Sequence, residues 1–179
     1  IVNDPSVDVV IEMMGASVSY DYMKKALLAS KHVITANKEV IAEHYTELQA
    51  IAMQNRVKLL FEASVGGGIP IVHTLLNSSP FNHITRVEGI LNGTTNFILT
   101  LMETDKLDFN DALTIADGLG YVEADASLDL DGIDASHKIQ ILAQNAFEIF
   151  FDHELIKCTG IRNVTKKDIE YAKKLGLTV

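Results

Sequence analysis

Val7-Asp8-Val9-Val10-Ile11-Glu12 is the first of three short runs of apolar and β-branched residues that decide the fold. The other two are His32-Val33-Ile34-Thr35 and Val57-Lys58-Leu59-Leu60-Phe61. Runs of this length and composition predict buried strands. Between them, residues 22–30 and 40–54 carry apolar side chains at the spacing of amphipathic helices. This alternation predicts parallel strands that are joined by helical crossovers.

The alternation is typical of the second half of a Rossmann-like domain. The GxGxxG fingerprint, which holds the pyrophosphate of a dinucleotide in the first half, does not occur in the sequence. Gly66-Gly67-Gly68 follows a predicted strand but lacks that spacing. Because the chain opens at Ile1 without a methionine, we expect the N-terminal half of the domain to be absent from it.

The pattern changes after residue 68, where helices dominate and strands become isolated. Asn92-Gly93 is a turn pair, and Thr94 or Thr95 is the predicted cap of the helix that follows. Thr165 and Asp168 predict a capping box. The predicted elements are a helix from Ile69-Pro70, a strand Ile84–Leu91, helices Asn96–Glu103, Phe109–Leu119 and Asp134–Phe151, a helix from Thr165, and a strand beginning at Leu177.

Composition and charge exclude some classes of protein. The net charge is −9, which argues against a nucleic-acid partner because phosphate binding needs clustered lysine and arginine. No apolar run reaches the ~18 residues of a membrane span, so no membrane partner is expected. Cys158 is the single cysteine, which predicts a reducing compartment, the cytoplasm, and a small buried thiol.

The segment of residues 120–138 is rich in carboxylates and ends in a lysine, and it allows three interpretations. A calcium loop starting at Ser127 would place Lys138 where the metal requires a glutamate, which argues against it. A solvated acidic loop would leave Asp134 and Lys138 as a surface pair worth only ~0.3–0.5 kcal/mol. A polar substrate site would use carboxylates to bind an ammonium group and Lys138 to transfer a proton.

The same segment resembles the signature of the homoserine dehydrogenase family, a Gly-aromatic start followed by D-x-x-G-x-D-x-x-x-K. Asp129, Gly132, Asp134 and Lys138 match that spacing. The family usually has proline where Ala126 stands, so a looser loop is expected here. Three further blocks resemble the family: Thr35-Ala36-Asn37-Lys38, residues 61–70, and residues 88–99.

The resemblance implies an α/β fold with two parts. Residues 1–65 would be the second half of the nucleotide-binding domain, a partial Rossmann-like parallel sheet. Residues 66–179 would be an α+β domain for substrate binding, catalysis and dimerisation. The chain would then be a fragment that lacks the N-terminal dinucleotide-binding half and the C-terminal end.

The resemblance also implies roles for particular residues. Lys138 would be the proton donor, with Asp134 orienting it. The substrate would be bound by Glu123, Asp129, Asp125 and Thr94, and the NAD(P) cofactor by Lys38, Ala36, Gly15 and Gly120. A monovalent cation, Na⁺, would be held by Glu62, Val65, Gly67 and Ile69, where glycines allow backbone carbonyls to converge.

The implied function is an oxidoreductase that interconverts L-homoserine and L-aspartate 4-semialdehyde, small-molecule substrates of threonine and methionine biosynthesis. Family members are usually homodimers. Two alternatives remain open: a catalytically incomplete module for dimerisation and substrate binding, and another Rossmann dehydrogenase with a similar strand pattern. The chain alone is expected to bind NAD(P) weakly and to have low activity.

Overall fold

A computed structural model describes residues 1–14, 18–78, 81–122 and 125–179. The described residues form two compact units. The first contains residues 1–88 and 137–156, and the second contains residues 89–136 and 157–179. The predicted division at residues 65 and 66 stays a prediction.

The first unit contains a parallel sheet in the order β1-β2-β3. Its strands are β1 (Val9–Glu12), β2 (His32–Thr35) and β3 (Leu59–Leu60). The register pairs Glu12 with Thr35, so the carboxyl ends of β1 and β2 lie side by side. This arrangement confirms the predicted α/β fold with a partial Rossmann-like sheet.

Two amphipathic helices connect these strands, α1 (Ser19–Leu28) and α2 (Lys38–Gln54). Their apolar faces are buried, with Met23 and Leu27 on α1 and Ile41 and Leu48 on α2. Asn37 caps α2, because its side-chain oxygen accepts a hydrogen bond from the backbone amide of Val40 at 3.1 Å. The cap fixes where the segment after β2 turns into the helix.

After β3 the chain makes a short 3₁₀ turn at Glu62–Ser64 and then forms α3 (Ile71–Ser78). The long helix α7 (Ile133–Phe147) contributes its residues from His137 onward to the first unit. Gln140 on this helix donates hydrogen bonds to the carbonyl oxygens of Ala42 at 3.0 Å and Phe151 at 3.1 Å. These bonds tie α7 to α2 and to the segment that follows α7.

The second unit is helical in its described residues. It contains α4 (Gly93–Thr104), α5 (Phe109–Gly118), α6 (Ser127–Leu130) and α8 (Lys166–Lys174). The capping box predicted at Thr165 and Asp168 is confirmed. The buried core of this unit consists of Ile98, Met102, Ala112, Ala116, Leu130 and Ile169.

Several predicted elements differ from the structure. Within the described residues, no strand forms at residues 84–91 or 177–179, because no second strand lies beside either segment to exchange backbone hydrogen bonds. Helix α7 ends at Phe147 and not at Phe151, since Glu148 adopts a left-handed backbone with φ of 53°. None of the described helices is long and apolar enough to cross a membrane.

Candidate functional site

Asn92 organises a pair of carboxylates in the second unit. Its side-chain nitrogen donates to Asp129 Oδ1 at 2.7 Å and to Asp134 Oδ2 at 3.0 Å. Its side-chain oxygen accepts from the amide of Thr95 at 2.8 Å, which makes Asn92 the N-cap of α4. Asn92 is 7% exposed, so these bonds are sheltered from water. One amide therefore uses both of its hydrogens to hold two acidic side chains together.

The cap of α4 corrects the prediction. Thr94 or Thr95 was expected to cap the helix, but the helix already begins at Gly93. Asn92 has the extended backbone of a cap, with φ of −130° and ψ of 124°. The Thr94 hydroxyl instead donates to the carbonyl of Tyr121 at 2.9 Å.

The turn between α6 and α7 brings Asp129 and Asp134 to the same amide. Gly132 occupies this turn with φ of 84°, a conformation that favours glycine. A Cβ atom there would lie 2.9 Å from the sulfur of Cys158. The backbone conformation therefore favours glycine at this position of the family signature, and the space beside it is narrow.

Gly160 lies against the same turn. A Cβ atom on Gly160 would lie 2.7 Å from the Cα atom of Asp131 and closer still to the carbonyl oxygen of Leu130. Cys158, in the same segment, donates from its thiol to the carbonyl of Asp131 at 3.2 Å. Cys158 is exposed, so the prediction of a buried thiol is wrong: the side chain lies over the turn and not in the core.

Gly160→Ala is expected to lower the free energy of unfolding by about 3 kcal/mol, because its new Cβ meets backbone atoms that cannot rotate away. Urea unfolding of the intact protein (residues 1–179 with any sequence encoded beside them) measures this. The matched control is Gly118→Ala at the end of α5, where a Cβ meets nothing within 4 Å and stability is maintained or slightly increased. Equal stability of the two variants would contradict the close approach.

Lys138, the predicted proton donor, lies on α7 four residues after Asp134. Side chains at this spacing project from the same face of a helix. Asp134 is 6% exposed, while Lys138 is half-buried. The structure thus brings Asp129 and Asp134 together through Asn92 and places Lys138 on the helix that carries Asp134.

Other acidic residues of this segment have different partners. Asp125 is exposed and accepts from the backbone amide of Ser127 at 2.9 Å, and hydrogen bonding to Ser127 lowers the pKa of the Asp125 carboxyl. Asp131 pairs with Arg162, with Nε 2.5 Å from Oδ1. Neither carboxylate takes part in the Asn92 cluster. Glu123 lies outside the described residues.

A cavity of about 560 Å³ lies at the carboxyl ends of β1, β2 and β3 in the first unit. Ligands of open α/β sheets bind at this edge. Glu12, Thr35, Ala36 and Glu62 contribute to its lining, together with mostly apolar side chains. Of the residues predicted to contact a cofactor, Ala36 is thus in the cavity wall.

The other predicted cofactor residues have different positions. Lys38 is half-buried and is the first residue of α2. Gly120 follows α5 in the second unit with φ of 78°, and its amide donates to the carbonyl of Asp117 at 2.9 Å. Gly15 lies outside the described residues.

The predicted cation ligands surround the turn before α3. Glu62 accepts hydrogen bonds from the amides of Val72 at 3.0 Å and His73 at 2.7 Å, so its carboxylate lies at the N-terminus of α3. Among the described residues, no group of three or more His, Cys, Asp or Glu side chains could hold a metal ion. The predicted site depends instead on the carbonyls of Val65, Gly67 and Ile69, an oxygen donor set that suits a hard cation.

Two histidine rings pack together in the first unit. The ring centroids of His137 on α7 and His153 are 4.5 Å apart, and Nδ1 of His153 lies 2.8 Å from Oε1 of Gln140. Burial lowers the pKa of His137, and the neighbouring His153 lowers it further. Glu39 and Glu43 on α2 act in the opposite direction and raise the pKa of His137, while Lys38 lowers it.

The lowered pKa of His137 predicts that stability falls as pH decreases below about 6.5. An unfolded chain binds a proton there, whereas folded His137 resists protonation until a lower pH. Melting temperatures between pH 7.5 and 5 measure the effect. His137→Asn should flatten the profile and exposed His83→Asn should leave it unchanged. Identical slopes in His137→Asn and the wild type would contradict the assignment.

Sequence reasoning missed the roles of two residues in these regions. The sequence indicated only that Asn92 belongs to a turn and to a family block. Its carboxylate partners could not be recognised, because they are 37 and 42 residues away along the chain. Glu12 stood out only as the end of a strand. A polar residue that ends an apolar run was the available signal in each case.

Comparison with known proteins covers nearly the whole chain. The family profile described as "Homoserine dehydrogenase, NAD binding domain" matches residues 1–62, and the profile described as "Homoserine dehydrogenase" matches residues 70–179. The chain belongs to the homoserine dehydrogenase family. The predicted membership is confirmed.

Individual homoserine dehydrogenases agree with the family profiles. That of Bacillus subtilis (strain 168) is 44% identical over 100% of this chain, which spans 42% of the relative's length. The crystal structure of the enzyme from Thiobacillus denitrificans superposes with a TM-score of 0.94 at 41% identity, over 98% of this chain and 41% of that one. A hyperthermophilic archaeal homoserine dehydrogenase in complex with NADPH has a TM-score of 0.82 at 33% identity, over 88% of this chain and 48% of that one.

Proposed function

We propose that the protein containing these residues is an NAD(P)-dependent homoserine dehydrogenase. It interconverts L-homoserine and L-aspartate 4-semialdehyde in threonine and methionine biosynthesis, in the cytoplasm. The observation that carries the proposal is the pair of carboxylates held by Asn92, the half-buried Asp129 and the buried Asp134, at positions that match the family signature.

Each of the proposed site residues has its own role in the reaction. Glu123 binds the ammonium group of the substrate, and Asp129 completes the polar floor of the site together with Asp125 and Thr94. Lys138 gives a proton to the carbonyl oxygen as that atom gains negative charge during reduction, so its positive charge stabilises the transition state selectively. Asp134 holds the lysine in place, and Asn92 in turn fixes Asp134.

The cofactor belongs at the carboxyl edge of the sheet. NAD(P)H supplies the hydride when it is bound. The cavity of about 560 Å³ at this edge and the NADPH complex of the archaeal relative support the proposal. Ala36, Lys38, Gly15 and Gly120 are the residues that we propose to contact the cofactor.

A sodium ion is proposed for the turn before α3. Glu62, Val65, Gly67 and Ile69 would supply one carboxylate and three carbonyl oxygens. The left-handed backbone of Gly67, with φ of 58°, lets the carbonyls of this turn point in directions that other residues rarely allow. The ion would fix the turn and take no part in the chemistry.

A homodimer is proposed through the segment of residues 84–91. This segment alternates like a strand and lies without a neighbouring strand among the described residues. Ile90 is 76% exposed, so the segment presents an apolar side chain to solvent. Such a segment suits pairing with a further strand across a subunit interface.

The same segment favours a second candidate function, in which residues 1–179 act as a dimerisation and substrate-binding module without catalysis. Sedimentation combined with an NADPH titration, both carried out on residues 1–179 by themselves, distinguishes the dehydrogenase from the module. A dimer that does not bind NADPH supports the module, and we expect weak binding and low activity from residues 1–179 by themselves. Full-strength NADPH oxidation by residues 1–179 would contradict that expectation.

The proposed activity is tested with the intact protein by following NADPH absorbance. We expect saturable oxidation when L-aspartate 4-semialdehyde is added. Succinic semialdehyde, which lacks the ammonium group, is the matched control and should react with a much higher KM, because Glu123 then has no positive charge to bind. Absence of NADPH and NADH oxidation above background with the amino-acid substrate would refute the proposal.

A further inference from the structure

Glu12 is a buried carboxylate at the end of β1, with 4% of its surface exposed. Its Oε1 accepts hydrogen bonds from the amide of Met14 at 2.7 Å and from the hydroxyl of Ser19 at 2.8 Å. Its Oε2 accepts from the hydroxyl of Thr35 at 2.5 Å. Burying a carboxylate is costly unless it is hydrogen-bonded, and these donors offset that cost.

The bond to Thr35 connects β1 to the segment that follows β2. Thr35 Oγ1 also accepts from the amide of Asn37 at 2.9 Å. Asn37 then caps α2, whose first residue is Lys38. Glu12, Thr35 and Asn37 are all buried. A continuous series of hydrogen bonds thus runs from the end of one strand to the start of the helix after the next.

Glu12 therefore reaches both segments that carry proposed cofactor contacts. Met14 directly precedes Gly15, and Thr35 directly precedes Ala36. Glu12, Thr35 and Ala36 also share the lining of the cavity of about 560 Å³. The carboxylate holds Met14 and Thr35 at fixed positions relative to each other, through bonds to both.

We propose that Glu12 is a positioning residue that preorganises the carboxyl edge of the sheet for the dinucleotide. This inference rests on the proposed function of that edge in binding NAD(P). Preorganisation increases affinity because the segments need not be ordered when the cofactor binds. Glu12 would act through the backbone of the segments after β1 and β2, and not through a bond to the cofactor.

The electrostatic effect and the positioning effect of Glu12 on NADPH affinity have opposite directions. NADPH is an anion, so removing the negative charge of Glu12 would by itself strengthen binding or leave it unchanged. Loss of positioning would weaken binding. Glu12→Gln has nearly the shape of the native side chain but cannot accept all three hydrogen bonds, and therefore separates the two effects.

The test measures the Kd of NADPH by fluorescence and the melting temperature of the cofactor-free intact protein. We expect Kd to rise about tenfold or more in Glu12→Gln and in Thr35→Val, which removes the hydroxyl at constant shape. Thr35→Ser keeps the hydroxyl and should restore binding to within about twofold of the wild type. With saturating NADPH, kcat should change much less than Kd.

Asp168→Asn is the matched control for a purely structural effect. Asp168 also accepts from a threonine hydroxyl and a backbone amide, at Thr165 in the capping box of α8. The Asp168→Asn variant should have a lower melting temperature and an unchanged Kd for NADPH. The comparison shows whether lost affinity follows from lost stability in general.

Unchanged or tighter NADPH binding in both Glu12→Gln and Thr35→Val would overturn the proposal. If Glu12→Gln does not fold, the difference between Thr35→Val and Thr35→Ser decides. If the wild-type protein binds and oxidises NADPH and these variants bind it equally well, the role of Glu12 is contradicted and the proposed function is not. A wild type that neither binds nor oxidises NADPH removes the proposed function and this inference with it.

Discussion

Lys138→Ala in the intact protein is expected to lower kcat by about 10² or more, the usual effect of removing a general acid. The physical reason is that the substrate oxygen gains negative charge during reduction. Without Lys138 it has neither the proton donor nor the positive charge that we propose to stabilise it. Stopped-flow and steady-state kinetics with L-aspartate 4-semialdehyde measure the effect. KM should change less than kcat, because Glu123, which we propose to bind the ammonium group, remains.

Two further lysine variants make the result specific. Lys138→Arg keeps a positive charge but gives up a proton far less readily, so an intermediate rate is expected. Lys167→Ala, at an exposed position on α8, should have wild-type kinetics. Near-normal turnover in Lys138→Ala would remove Lys138 from the mechanism.

Asn92→Asp is expected to reduce kcat/KM by about 10² or more and to lower stability. The substitution keeps the oxygen that caps α4 but replaces the donor that bridges Asp129 and Asp134. Each hydrogen bond to a charged group contributes about 1.5–3 kcal/mol, and a third carboxylate would add repulsion. Separate measurements of kcat/KM and of urea unfolding show both consequences.

Asn96→Asp is the matched control for Asn92→Asp, because Asn96 is exposed on the first turn of the same helix. A negative charge there interacts favourably with the helix N-terminus, so stability and activity should be retained. Asn92→Ser removes the bridge without adding charge and should be less harmful than Asn92→Asp. Wild-type activity in both Asn92 variants would show that the bridge is not needed.

Local signals in the sequence predicted much of the first unit. The bounds of β2 are those expected, and α2 begins two residues before the predicted start because Asn37 caps it. In the second unit, the capping box at Thr165 and Asp168 is present as predicted. Strand runs, helical spacing and caps depend on neighbours within a few residues, so they can be recognised in a single sequence.

Features that depend on distant parts of the chain could not be predicted. The two acceptors of Asn92 lie far along the sequence, and no local pattern indicates that its amide points toward both. The segment of residues 84–91 has the alternation of a strand, but within the described residues no second strand lies beside it. Helix α6 (Ser127–Leu130) was missed because four residues are too few to show helical spacing.

The candidate site divides in the same way. Lys138 and Asp134 could be proposed because their spacing matches a known signature. The separation of the acidic residues into the pair held by Asn92 and the exposed carboxylates became visible only in the structure, where Asp131 pairs with Arg162 and Asp125 with Ser127. The composition of the segment gave no reason to rank one carboxylate above another.

Isotope transfer tests the proposed function most directly. The intact protein is incubated with L-aspartate 4-semialdehyde and NADPH carrying deuterium at C4 of the nicotinamide, in separate samples for each face of the ring. Mass spectrometry should find homoserine that has gained one deuterium at C4 from one of the two labelled cofactors. Absence of homoserine, or homoserine without deuterium in both samples, would contradict the assignment.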